Sequence, residues 1–194
     1  MSAWSEVEAA GDLTAAAGEL RISSSRLTGA QLTGARLGGS RIIDTVFEDC
    51  ELSGVSLDDS ALTRVEFRRC RMSGVQLIMS RLRHVRFVEC KLDGAVLRMI
   101  SGEHLHAEQC LMSRADLYAA SVTPLVLQRC DLTEADVSQL ASTDVRLQGS
   151  TLDGLVGATS LRAAVIEAGQ VLPLAYSLFE SLGIRIEGAD ESDD

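Results

Sequence analysis

A large apolar side chain recurs at every fifth residue of this sequence, from Ile22 to Leu152. Of the 27 positions at this spacing, 24 are Leu, Ile, Val, Met or Phe, and no insertion interrupts the series. A helix buries residues with a period of 3.6 and a strand with a period of 2.0, so neither element alone accommodates a period of five. A chain that turns a corner after every five residues does accommodate it, and such a chain closes a coil after four sides.

A second, smaller class of residue lies two positions before each large one. It consists mainly of Ala, Ser, Thr, Cys and Val, as expected for a small inward position beside a large one. Each missing large residue is compensated by an enlarged member of the small class: Ile100 precedes Gly102, Leu105 precedes Ala107, and Leu140 precedes Ser142. Close-packed interiors conserve volume in this way, so both classes are predicted to share one core.

The five cysteines of the chain also belong to the small class, and they recur at intervals of 20 residues: Cys50, Cys70, Cys90, Cys110 and Cys130. One cysteine therefore enters each coil on the same side, stacked on the one before. Their number is odd and they have no pairwise spacing, which argues against a disulfide framework. We predict that all five are reduced, buried and structural.

Several five-residue units begin with a small residue, continue with a polar residue and a leucine or valine, and end with two variable residues. Examples are "ARLGG" from Ala35, "ADLYA" from Ala115 and "ADVSQ" from Ala135, with "CDLTE" and "AQLTG" as variants. In this the sequence resembles the pentapeptide repeat family over roughly residues 20–157. The resemblance implies an all-β solenoid, a right-handed quadrilateral β-helix, and the 27 units correspond to about seven coils.

Both ends of a solenoid expose unpaired backbone groups, so each end requires a cap. We assign residues 1–19 to an N-terminal cap, either a short helix or an irregular lid, and residues 20–157 to the β-helix. Residues 158–186 leave the five-residue phase and place apolar residues at helical spacing, which predicts a helical C-terminal cap that ends at Gly183. Residues 187–194 are predicted to form an acidic, disordered tail.

The predicted coil offers little to an enzyme. It has no long loops, no glycine-rich phosphate loop and no nucleophile beside a base, so we predict no catalytic, cofactor-binding or metal-binding residues. His84 and His104 lie one coil apart on one face, and His106 lies beyond the next corner, where it is predicted to face another side. Two imidazoles without a convergent carboxylate or thiolate favour a solvated surface over a metal site.

Neither end of the sequence suggests a membrane. No run of about 18 apolar residues is present, and residues 1–17 lack the basic start and apolar run of a signal peptide. We therefore expect a cytoplasmic protein with reduced thiols and no membrane association.

The net charge of −10 belongs to the ends of the chain, because residues 20–152 carry 16 acidic and 16 basic residues. B-DNA presents one negative charge per about 1.7 Å, so a neutral coil is not expected to mimic DNA along its whole length. The charge of the coil is nevertheless banded, with a basic band from Arg64 to Arg98. Before this band lies a group that we name the acidic cluster: Asp44, Glu48, Asp49, Glu51, Asp58 and Asp59.

Two apolar surfaces are predicted in addition. Outward positions of three successive coils carry Ile78, Met79, Val96, Met99 and Tyr118, and either a terminal segment or a partner protein is expected to cover them. In the C-terminal cap, Pro173 either starts the second segment of the helix or kinks it. The helix exposes more apolar surface than the last coil can cover, which predicts a two-fold homodimer through Leu174, Leu178, Phe179 and Leu182.

The family resemblance also implies a function. Some bacterial pentapeptide repeat proteins bind DNA gyrase or topoisomerase IV, look like duplex DNA in size and acidity, and confer resistance to quinolones. The present sequence has uninterrupted repeats, in which it resembles the loop-free mycobacterial fluoroquinolone-resistance type. This favours binding to a type II topoisomerase, without direct contact to nucleic acid, through the acidic cluster and an apolar anchor of Ile78, Met79, Met99 and Tyr118. The alternative is a general interaction scaffold that binds a different protein.

Overall fold

A computed structural model describes residues 2–5, 8–9 and 18–185 of the chain. Its centre is a coil of parallel strands in which each strand pairs with the strand one turn later. The main ladder consists of β3 (Leu20–Thr28), β4 (Arg41–Glu48), β5 (Ala61–Arg68), β6 (Arg81–Val88), β7 (Ser101–Glu108), β9 (Leu125–Gln128) and β10 (Val145–Arg146). The short strand β8 (Ser121–Val122) pairs with β7, and β1 (Ser2–Ser5) and β2 (Glu8–Ala9) pair with β3.

The register of this ladder is 20 residues per turn. Ile42 pairs with Leu62, and Leu62 pairs with Leu82. Six such steps lead from β3 to β10, so about six full turns separate seven rungs, and the predicted β-solenoid is confirmed. The remaining two sides of each turn are joined by single bridges at the same spacing, such as Gln31 to Glu51 and Arg36 to Ser56.

A corner of the coil occurs at every fifth residue. Between residues 24 and 154, 25 of the 27 residues at this spacing have positive φ angles, and only eight of these 25 are glycine. The two exceptions are Pro124, which follows a cis peptide bond, and Asp144. Each corner N–H points along the rod; that of Asp59, for example, donates a hydrogen bond of 2.9 Å to the carbonyl of Ile78 in the next turn. Backbone bonding between turns therefore holds residues in a conformation that side chains other than glycine seldom adopt.

The core contains both predicted inward classes. The large residues form stacks along the axis, and the rings of Phe47, Phe67 and Phe87 lie in succession with centroids 4.9 and 5.1 Å apart. The compensating residues Ile100, Leu105 and Leu140 are all buried. Four sides of aliphatic side chains thus converge on one continuous core, as the five-residue period predicts.

Gly102 has a second reason to be small. Its φ is +140°, and a Cβ atom there would lie 1.8 Å from the carbonyl oxygen of Leu82 in the preceding turn. Volume compensation by Ile100 explains why the core has no void at this point. The close approach of two backbones explains why no side chain is tolerated.

The N-terminal segment continues the ladder. Ser2 pairs with Leu20 and Glu8 with Arg26, so this first turn is two residues shorter than the others. Residues 2–5 and 8–9 are therefore extended, and most of the rest of the stretch for which a short helix or an irregular lid was considered lies outside the described residues. Extended backbone covers the hydrogen-bonding groups of β3.

The C-terminal cap consists of two 3₁₀ turns, η1 (Ala158–Ser160) and η2 (Ala168–Gln170), followed by α1 (Val171–Ser181). Gln170 is buried and its amide nitrogen donates hydrogen bonds of 2.6 Å to the carbonyls of Leu147 and Ser150 in the last turn. Its amide oxygen accepts a hydrogen bond from the N–H of Glu167. A single side chain thus satisfies backbone groups at the end of the coil.

The helix α1 starts and stops as its sequence indicates. Pro173 lies in the first turn, where a missing N–H breaks no helical hydrogen bond. At the other end Gly183 has a φ of +69°, and the N–H of Ile184 reaches back to the carbonyl of Phe179 at 2.8 Å. This is the hydrogen-bond pattern of a Schellman motif, so the predicted stop at Gly183 is confirmed. The predicted acidic tail, residues 187–194, lies outside the described residues.

In the part of the chain that the structure describes, no helix has the length and apolar character needed to cross a membrane.

Candidate interaction surfaces

Arginines from neighbouring turns bind much of the acidic cluster. The Arg69 guanidinium donates hydrogen bonds of 2.8 Å to both Asp49 and Glu48. Arg64 donates a hydrogen bond of 2.8 Å to Asp44. The pKa values of all three carboxyl groups are lowered, mainly by these hydrogen bonds. Pairing of this kind removes most of the outward field that the acidic cluster would otherwise present.

The six members of the acidic cluster do not share one face. We number the four sides of each turn in chain order, so that the third side ends at the corners of residues 54, 74 and 94 and the fourth at those of residues 59, 79 and 99. Glu51 lies on the third side, 3.7 Å from Arg71. The Asp58 carboxylate accepts hydrogen bonds from the N–H of Ile78 and the hydroxyl of Ser56, both at 2.9 Å. Asp59 is exposed at the following corner. Only Asp58 and Asp59 therefore lie beside the predicted apolar anchor.

The structure brings these two acids and the apolar residues together on the fourth side of the coil. Backbone hydrogen bonds connect Asp59 to Ile78, Met79 to Arg98 and Met99 to Tyr118, so the residues stand in adjacent turns. We name this surface the fourth-side patch: Asp58, Asp59, Ile78, Met79, Val96, Met99 and Tyr118. It combines acidic groups at one end with an apolar centre.

The apolar centre of the fourth-side patch is open. Met79 and Met99 are 59% and 44% exposed, and no described terminal element covers them. Arg98 lies over the ring of Tyr118, with 4.7 Å between the guanidinium carbon and the ring centroid. Flexible methionines beside an immobilised aromatic ring are a common composition for protein-binding surfaces.

The cysteine column is buried and carries no disulfide bond. Each thiol lies within hydrogen-bonding distance of the carbonyl 23 residues earlier, as Cys90 does with Phe67 at 3.4 Å. The Cys110 thiol and burial raise the pKa of Cys90 to about 12. The raised pKa makes the Cys90 thiol unreactive, and the burial of all five side chains supports a structural role for the column.

The three histidines lie closer together than the sequence suggests. The rings of His84 and His104 stack with centroids 4.6 Å apart, as their spacing predicts. His106 lies beyond the corner at residue 104, as predicted, yet it lines the same cavity of about 240 Å³ as the other two. The cavity extends around the corner at residue 104, so residues on both flanks of that corner contribute to it. In the sequence, the position of residues 104 and 106 at and beside the same corner was the signal that could have predicted a shared cavity.

A cavity of about 540 Å³ beside the last turn is lined by Gln139–Thr143 and by residues of the C-terminal cap, with no histidine, cysteine or carboxylate. No group of three or more His, Cys, Asp or Glu within residues 18–185 is placed to hold a metal ion.

Comparison with known proteins identifies the repeat. Residues 20–97 match the family model of the pentapeptide repeat region. This part of the chain is a pentapeptide repeat region. The repeat continues beyond the matched residues, since the 20-residue register extends without interruption to β9 and β10. A search of curated protein sequences finds no match.

The chain is similar to several solved structures, and a variant of QnrB1 supports the shared fold. A trypsin-treated variant of QnrB1, a plasmid-mediated fluoroquinolone resistance protein, is 19% identical and aligns over 96% of this chain and 89% of its own, with a TM-score of 0.51. HetL from the cyanobacterium Nostoc sp. strain PCC 7120, a protein involved in the regulation of heterocyst differentiation, is 17% identical. It covers 86% of this chain and 90% of its own at a TM-score of 0.37.

Proposed function

We propose that this pentapeptide repeat protein acts without chemistry of its own, by binding a bacterial type II topoisomerase such as DNA gyrase and altering its response to fluoroquinolones. The observation that carries the proposal is the likeness of its rod, over nearly the whole chain, to that of the fluoroquinolone resistance protein QnrB1. The family resemblance of the sequence points to the same class of partner.

Binding through a limited surface fits the charges better than mimicry of a whole DNA duplex. Six turns at about 4.8 Å each give a rod of about 29 Å, a length over which B-DNA carries about 17 negative charges. The coil is neutral overall, and Arg64 and Arg69 hold three carboxylates of the acidic cluster. The fourth-side patch keeps Asp59 exposed beside an apolar anchor, so it is the contact surface we propose.

The test is DNA supercoiling by the host gyrase, with and without a fluoroquinolone, across a titration of the protein. Met79→Lys with Met99→Lys inserts two charges into the patch. Both residues occupy corners with positive φ, where this chain also carries long basic side chains, so the double variant should keep the fold. We expect this variant to lose the effect on supercoiling and drug sensitivity. Asp59→Lys should weaken binding at low salt, because charge contacts at a surface are screened as salt rises. Asp58 is a poorer choice, since its carboxylate also holds the backbone of Ile78.

Gln109→Lys is the matched control. Gln109 has the same corner conformation and exposure, but it lies on a different side of the coil. It should retain full activity. If the unmodified protein changes neither supercoiling nor drug sensitivity and forms no complex with gyrase at low salt, the topoisomerase proposal is wrong. The alternative of a general interaction scaffold would then remain.

We also propose that α1 forms a two-fold dimer. Of the four residues predicted to form the interface, two attach the helix to the rod and two are available to a second subunit. Leu174 packs against the core and Leu178 is half-buried, so these two attach the helix to the rod. Phe179 and Leu182 face outward, with 62% of Leu182 exposed. Leu172 is 64% exposed on the same helix. Apolar surface of this extent is typically covered by a second subunit.

Phe179→Asp with Leu182→Asp should convert the dimer to a folded monomer, because both residues point away from the rod. Sedimentation velocity at micromolar concentration measures the mass, and circular dichroism verifies the fold. Glu180→Ala, on the same helix, should leave the mass unchanged. A wild-type protein that sediments as a monomer contradicts the dimer.

A further inference from the structure

The cavity at the three histidines is lined by several nitrogen groups, one of which is buried and has no hydrogen-bond partner among the described residues. Its lining consists of His84, Arg86, His104, Leu105, His106, Pro124 and Val126. The Nε2 atom of His106 is buried and makes no hydrogen bond within the described residues. His84 comes no nearer to a carboxylate than 3.8 Å, from Glu103. A buried polar atom normally has a hydrogen-bond partner, so the Nε2 atom of His106 is a candidate to bind a ligand group.

Arg86 is the charged residue in the lining of this cavity, and the carboxylates near it have closer partners. Its guanidinium lies 3.9 Å from Glu66 and 4.0 Å from Glu108, beyond hydrogen-bonding distance. Both of these acids have direct partners: Arg68 binds Glu66 at 2.8 Å, and Arg129 binds Glu108. Glu103 is in turn bound by Arg83 at 2.7 Å. The ion pairs nearby are therefore complete without Arg86, whose charge is available to a ligand.

The remaining walls are apolar. Leu105, Pro124 and Val126 complete the lining of the cavity. A fork of guanidinium N–H groups matches the two oxygens of a carboxylate, and neutral imidazoles each donate one further N–H. We infer that the cavity binds a small organic acid, with its carboxylate on Arg86 and His106 and its apolar body against Pro124 and Val126. This site is separate from the fourth-side patch and does not depend on the proposed function.

The chain offers an unusually specific readout for this site, because its only three histidines all line the cavity. Their imidazole Cε1–H proton resonances therefore report on this cavity alone. The probes are benzoate, inorganic phosphate and benzyl alcohol, each titrated at pH 7 into the full-length protein. We expect benzoate to shift the histidine resonances saturably in the millimolar range. Phosphate should bind more weakly because it has no apolar body, and benzyl alcohol more weakly because it has no charge.

Arg86→Gln should reduce benzoate affinity about tenfold or more, because it removes the charged fork that holds the carboxylate. His106→Phe should abolish binding by filling the cavity. The matched control is Arg36→Gln, which removes the same charge on the opposite side of the coil and should bind benzoate like the wild type. Circular dichroism checks that each variant remains folded.

Three results would overturn the inference. The first is the absence of a saturable shift with benzoate in the wild-type protein, a test that requires no variant. The second is equal binding of benzoate by Arg86→Gln and by the wild type. The third is phosphate or benzyl alcohol binding as tightly as benzoate, since the apolar wall or the charge would then have no role.

Discussion

At the scale of single residues, position within the five-residue unit decides what a side chain does. The large and small inward classes fill the core, while the corner residue contributes its backbone and leaves its side chain outside. Corner side chains are consequently free to vary. Asp, Arg, Met, His, Glu, Gln and Ala all occupy corners with positive φ in this chain. Because corner side chains lie outside the core, they can change without altering core packing, and the same fold can carry different surface residues.

The two inward classes should differ in their cost of truncation. Cys90→Ala removes one sulfur atom and should destabilise the protein by about 1 kcal/mol, whereas Leu92→Ala should cost about 2–5 kcal/mol because it leaves a larger cavity. Urea denaturation measures both. The buried thiols should also resist labelling in the native protein, and rapid labelling of all five would contradict the structural assignment.

Gly102 should be the glycine most sensitive to substitution. Gly102→Ala places a methyl group against the Leu82 carbonyl and requires two turns of backbone to separate, so it should cost about 3 kcal/mol or more. The control is Gly94→Ala, at an ordinary corner with open space around the new methyl group, which should cost about 1–2 kcal/mol. Equal destabilisation of the two variants, measured by urea denaturation, would show that the close approach does not matter.

At the scale of elements, the ends of the coil are stabilised in two different ways. The N-terminal end adds strand upon strand, through β1 and β2. The C-terminal end uses a side chain, since Gln170 stands 20 residues after Ser150 and occupies the next place in the cysteine column. The helix α1 then covers this end with Leu174 and the buried Ser177.

Gln170→Ala should destabilise the C-terminal cap. The change leaves the carbonyls of Leu147 and Ser150 without their donor, and each unsatisfied buried group costs about 1–3 kcal/mol. Hydrogen exchange should show faster opening of the last turn than of β5. The control Gln109→Ala, at an exposed corner, should leave both rates unchanged. If the two variants behave alike, Gln170 does not close the coil.

At the scale of the whole molecule, ion pairs between successive turns run along the surface of the rod. They pair Asp44, Glu48 and Asp49 of the acidic cluster with arginines of the basic band, and they leave the fourth-side patch and the cavity at the three histidines as distinct surfaces. The surfaces that distinguish the rod are therefore those outside the ion pairs. This arrangement favours recognition through small patches over a uniform field.

Acid should weaken the rod through these pairs. The pKa values of Asp44, Glu48, Asp49 and Glu103 are lowered in the folded protein by hydrogen bonds to arginine. Their stabilising effect is present above the unfolded pKa values and is lost as pH falls through the folded ones, so the urea midpoint should decline below about pH 4–5. High salt should reduce the decline, because the groups are exposed.

Arg69→Gln removes the arginine bound to Asp49 and one of the two bound to Glu48, so the decline with acid should become smaller in this variant. Arg36→Gln removes the same charge without touching either acid, and it should retain the wild-type profile. An unchanged profile for Arg69→Gln would mean that the pairs contribute nothing to the pH dependence.

The five-residue period alone determined the fold, because no regular helix or strand can bury a residue at that spacing and a four-cornered coil can. The same period predicted the stacked phenylalanines, the cysteine column and the compensating residues, since each follows from counting. Counting also stacks corner residues that are 20 apart, such as Asp59 and Met79, but it does not say which side chains form hydrogen bonds. That Arg69 binds Glu48 as well as Asp49, and that His106 shares a cavity with His84 and His104 around a corner, depend on side-chain directions across turns 20 residues apart. Those directions arise only once the turns are stacked, and hence only the tertiary structure decided which of the predicted surface residues act together.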